Sequence, residues 1–126
     1  MKPTPVEERL LRDVIRGQRS WADLQDIGIC VTMDEERCQV DNPGHLSLAV
    51  TLEDLAHGVL ALRASPEVLR RWAWFIQSGS SIYELDIEGD VRGEVFLEAL
   101  WDLAFGGDMK PTLAEIAADL VGKAAG

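Results

Sequence analysis

Twice along this chain the spacing of apolar side chains changes period, and that change constrains its fold more than any single motif. Between Ile29 and Val50 apolar residues alternate with polar or small ones, whereas on both sides they recur every three or four positions. A strand turns every second side chain to one face, and a helix every third or fourth. The chain is therefore expected to be α+β and mostly helical, with about six helices and a small antiparallel β-meander of about three strands.

Local signals place the elements. Thr4-Pro5-Val6-Glu7 has a capping threonine, a proline suited to the first helical position and the acid of a capping box. Val6, Leu10, Leu11, Val14 and Ile15 share one side of that helix, which Gly17 ends, and Ser20-Trp21-Ala22-Asp23 opens a shorter one. A hairpin then follows around Asp34-Glu35-Glu36. Pairing Val31 with Cys38 and Ile29 with Val40 gathers four apolar side chains on one face. That register turns Cys30 away from Cys38, so two free thiols are expected. Asp41-Asn42-Pro43-Gly44 is a turn, and Leu46, Leu48 and Val50 suggest the third antiparallel strand.

Thr51-Leu52-Glu53-Asp54 starts the next helix, with Val50 and Leu55 spaced as a hydrophobic staple and Leu52, Leu55, Ala56, Val59 and Leu60 inward. Ser65-Pro66-Glu67 starts another, carrying Val68, Leu69, Trp72, Phe75 and Ile76 inward to Gly79. Tyr83, Leu85 and Ile87 alternate as a strand or an extended connector. From Val91 to Phe105 apolar residues fall on nearly every side of the wheel, which predicts a helix in the middle of the domain. After Gly106-Gly107, Thr112-Leu113-Ala114-Glu115 caps a last helix with Leu113, Ile116, Leu120 and Val121 inward. No repeat, low-complexity tract or long linker divides residues 1–126, so a single domain is expected.

Charge narrows the partners. The chain has 126 residues and a formal charge of −10, which would repel a phosphate backbone or an anionic lipid surface. Nucleic acid and membrane are therefore not expected; the acidity serves either to engage a basic protein or to keep a small protein soluble. No apolar run approaches the ~20 residues that cross a bilayer. Met1 to Pro5 lack the apolar stretch of a secretory signal, so a cytoplasmic location is expected.

Reactive constellations are sparse. His45 follows the Pro-Gly turn, and His57 lies opposite its helix's apolar stripe, one turn beyond Glu53. Neither is placed as a general base. No nucleophile elbow, P-loop or dinucleotide fingerprint occurs. Cys30, Cys38 and His45 are not spaced as zinc ligands, and Asp86 to Asp90 lacks the glycine and acid positions of a calcium loop. No catalytic residue, cofactor or metal site is assigned, and a non-enzymatic protein is expected. An enzyme would need Glu84, Asp86 and Glu88 to converge with His45 in a cleft.

Surface patterning says more. Glu94, Glu98 and Asp102 recur every fourth residue, and like charges so spaced cost a helix a few tenths of a kcal/mol. Trp101 and Phe105 border the stripe. From Glu84 to Asp108 eight acids face only Arg92. The stripe is either the solvated edge of a buried helix, offset internally by Arg9, Arg12 and Arg16, or a surface for a partner. Trp74 falls on the polar side of its helix among Glu67, Arg70 and Arg71, either covered by another element or exposed as an anchor. Trp74, Glu94, Glu98, Trp101 and Asp102 are the candidate partner-binding set. The alternative is a self-associating protein, a homodimer burying Trp74 and Phe105.

The stretches LLRDVIRGQRSWADL (10–24), LRRWAWFIQSG (69–79) and GEVFLEALWDLAFGG (93–107) cover about a third of the chain. In texture they resemble small bacterial toxin-immunity proteins and their uncharacterised relatives. The resemblance implies a non-enzymatic cytosolic protein that binds and neutralises a cognate toxin domain. It implies acidity where that toxin is a nuclease with a basic cleft. It assigns no site residue.

Overall fold

The side chains that announce the helices in the sequence are the ones that build their ends. In the computed structural model, which describes residues 3–86, 91–107 and 111–125, α1 spans Pro5–Ile15. The Glu7 amide donates to Thr4 Oγ1 at 3.3 Å and the Thr4 amide to Glu7 Oε1 at 2.8 Å, which completes the capping box. Gly17, at a φ of 74°, closes the other end so that the Gln18 amide reaches the Asp13 carbonyl at 2.7 Å. A 3₁₀ helix, Trp21–Ile27, follows on the Ser20 cap.

The hairpin joins β1 (Cys30–Met33) to β2 (Cys38–Asp41) antiparallel, but in a register two residues tighter than expected. Val31 faces Val40 and Met33 faces Cys38. A shift by two keeps every side chain on its face, so Val31, Met33, Cys38 and Val40 all pack against the core and Cys30 stays outward. The tighter turn rests on Asp34. Its Oδ1 accepts the amides of Glu36 and Arg37, each at 2.7 Å, and its own amide donates to the Arg37 carbonyl.

The expected third strand of the meander is corrected. β3 (Leu48–Thr51) leaves the hairpin and pairs in parallel with β4 (Tyr83–Asp86). Asn42 explains the departure, because its side chain bonds both the amide and the carbonyl of Leu46, at 3.1 and 2.8 Å, and holds the loop closed. A parallel pair needs a long crossover, and α2 (Leu52–Leu62) with α3 (Pro66–Ser78) supplies it. The architecture is α+β and mostly helical, with two small sheets of two strands each among the described residues. Ile87 and Glu88 lie outside those residues.

The core sits where α1, α2 and α3 meet. Gly58 of α2 allows the approach, since a Cβ there would run into the Trp72 ring and come within 2.7 Å of the Ile15 carbonyl. Trp72 is buried, and its indole donates to the Val14 carbonyl at 3.3 Å. Asp54 serves two contacts at once. It closes the Thr51 capping box, and it receives Arg12 and Arg16 of α1 at 3.1 and 3.0 Å while only 3% exposed. Val50 and Leu55 are both buried, as a staple requires. Val6 and Val68 do not turn inward as expected. They are 76% and 41% exposed, each in the first turn of its helix, where the neighbouring Leu10 and Leu69 fill the core instead.

The last two helices, α4 (Val91–Ala104) and α5 (Pro111–Ala125), complete the domain. α5 packs mainly on α2 with Leu113 and Ala117 buried, and Pro111 rather than Thr112 starts it. α4 packs on α3 but is not the central helix its composition predicts. Phe96, Leu100, Leu103 and Ala104 are buried, whereas Val95 and Phe105 remain 46% and 70% exposed. No helix among the described residues is long and apolar enough to cross a membrane.

Candidate functional site

The outward apolar residues of α4 are the feature that packing leaves unexplained. Glu94, Val95, Glu98 and Asp102 are exposed, and Trp101 is half-buried. The helix ends in a Schellman turn. The Gly106 amide donates to the Leu103 carbonyl and the Gly107 amide to the Asp102 carbonyl, with Gly106 at a φ of 96°. This turn leaves Phe105, whose amide still bonds the Trp101 carbonyl, as the last side chain before the chain reverses. A fixed backbone thus presents an aromatic ring to solvent.

Two clefts open beside it. One, of about 500 Å³, lies between the hairpin turn, α3 and the end of α4, and is lined by Asp34, Glu35, Glu36, Glu67, Arg70, Arg71, Trp74 and Phe105. The other, of about 450 Å³, lies between α4 and α5, and is lined by Val95, Glu98, Ala99, Trp101, Asp102, Phe105 and Ile116. Phe105 borders both clefts. Trp74, Trp101, Glu98 and Asp102, which the sequence assigns to one surface, therefore lie around a common ring. Glu94 is exposed one turn before Glu98 and lines neither cleft.

No family model, curated protein or solved structure matches the chain.

Arg12 and Arg16 are engaged by Asp54, so they do not offset the α4 stripe. In the first cleft Arg71 pairs with Glu67 at 3.3 Å, one turn apart on α3. Asp34 is held below the usual carboxylate range, chiefly because it accepts the Glu36 and Arg37 amides. Among the described residues Glu35, Glu36 and Glu98 have no ion pair.

Sequence reasoning missed the hairpin turn as a wall of the site. Nothing local ties Asp34-Glu35-Glu36 to Trp74, forty residues away in the chain. The signals that were present are Trp74, which falls on the polar side of its helix, and Phe105, which borders the acidic stripe.

The other candidates are scattered. His45 is exposed in the turn after Gly44, at a φ of 51°, and His57 Nε2 lies 3.4 Å from Glu53 Oε1. Glu84 is exposed beside a third cleft with Glu8, Arg12 and Ser47, and His45 does not line it. Cys38 is pushed up by burial, against a hydrogen bond with Ser78, and neither cysteine is in a disulfide. No group of three or more potential metal ligands occurs among the described residues.

Proposed function

We propose that this protein is a non-catalytic binding module that docks a basic protein on the surface centred on Phe105, in the manner of an immunity-like inhibitor of a basic toxin domain. One observation supports the reading above the rest: an aromatic ring 70% exposed at a rigid helix end, shared by two clefts and ringed by Trp74, Trp101, Glu98 and Asp102. Aromatic anchors in clefts contribute most binding energy at protein interfaces, and surrounding carboxylates steer a cationic partner into place. The charge of −10 gives that steering its sign.

The experiment is capture from source-cell lysate with the purified protein as bait, set beside Phe105→Ala and the double variant Glu98→Gln/Asp102→Asn. A stoichiometric basic protein held by the wild type and lost from both variants is the expected result. Retention by both variants would place the interface elsewhere. The competing reading, a homodimer that buries Phe105, is favoured by the same exposed ring. Light scattering showing a dimer that Phe105→Ala dissociates would establish it instead.

A further inference from the structure

The cleft beneath the hairpin turn differs in chemistry from the α4–α5 groove. Two aromatic side chains border it, half-buried Trp74 on α3 and Phe105 at the end of α4. The hairpin turn adds three acids in succession to its lining. Asp34 is occupied by the backbone amides of its own turn, which leaves Glu35 and Glu36 for a visitor. Glu67 is tied to Arg71, and Arg70 has no ion pair among the described residues. At about 500 Å³ the cleft has room for a long side chain with part of its backbone.

An ammonium is compact and strongly hydrated. A guanidinium is planar, weakly hydrated, stacks on aromatic faces and still forms fork-like hydrogen bonds with carboxylates. Two rings and two carboxylates without ion pairs lining one cleft suit the guanidinium. Resting on the docking reading above, we infer that this cleft is the receptor for an arginine side chain of the basic partner, stacked against Trp74 and Phe105 and bonded to Glu35 and Glu36. Arg70 is the like charge within the cleft, and it weakens the site it borders.

The test uses the whole 126-residue chain and two acetylated, amidated pentapeptides of equal charge, one with two arginines and one with two lysines. Binding is followed by the Trp74 indole N–H resonance, assigned with Trp74→Phe. The arginine peptide is expected to bind on the order of fivefold more tightly than the lysine peptide and to shift that resonance. Glu35→Gln/Glu36→Gln should lower its affinity by a similar factor, and Arg70→Gln should raise it. Equal affinity for the two peptides, or an unmoved Trp74 resonance, overturns the inference. The two readings fail separately. Capture of a basic protein that depends on Phe105 but ignores Glu35→Gln/Glu36→Gln sinks the arginine site and leaves the docking surface standing, whereas capture indifferent to Phe105→Ala sinks the surface itself.

Discussion

Tyr83 shows how a single side chain can join local and long-range structure here. It begins β4, is nearly buried, and its hydroxyl donates to the Ile76 carbonyl at 2.8 Å, in the last turn of α3 where carbonyls lack helical partners. Burial pushes its phenol from 10.0 up to about 12. The sign follows from proton counting. Between those two values the unfolded chain has lost the phenolic proton while the folded chain keeps it, so stability falls as pH rises from 10.0 to about 12. Tyr83→Phe should cost about 1 kcal/mol at neutral pH, through the lost hydrogen bond and the orphaned carbonyl. It should also flatten the alkaline limb. Denaturant titrations at several pH values check both, and an unchanged alkaline slope would show that Tyr83 does not titrate with unfolding.

At the scale of elements, what could be read in the sequence was whatever is encoded within about five residues. The Thr4 and Thr51 caps, the Gly17 and Gly106 stops and the face parity of the hairpin all depend on near neighbours, and all stand where the sequence puts them. Pairing partners are different. Alternation marks Leu48–Thr51 as a strand, but period two is the same for either neighbour, and the parallel mate lies beyond two helices. The α4 helix misled for a related reason, since apolar residues all round its wheel suit burial and interface equally. Substitutions separate the two. Leu100→Ala, in the buried face, should cost about 3 kcal/mol through cavity formation. Phe105→Ala should cost under about 0.5 kcal/mol, as a surface change does. Chemical denaturation of both variants measures this, and a large loss from Phe105→Ala would mean the ring serves packing rather than a partner.

Over the whole molecule the placement of the charge matters more than its sum of −10. The two arginines that reach the core neutralise one buried aspartate, while the acids of α4 and the hairpin turn stay outside. Trp74 could be picked out from sequence as lying on the polar side of its helix, but its convergence with Phe105 and the hairpin turn required the three-dimensional arrangement, because helix packing brings them together. The division predicts distinct kinetic roles. The α4 carboxylates, outside the arginine cleft, act over distances comparable to the Debye length, about 10 Å at 0.1 M salt, so they should set the rate of encounter. Phe105 acts only at contact and should set the lifetime of the complex. For a basic partner captured as proposed, raising salt from about 20 to about 150 mM should slow association by roughly tenfold with little change in dissociation. Glu98→Gln/Asp102→Asn should reduce that dependence, and Phe105→Ala should speed dissociation at every salt concentration. Surface plasmon resonance resolves the two rates. If salt acted on dissociation alone, the carboxylates would be forming contacts within the complex, and long-range steering by the α4 face would have to be abandoned.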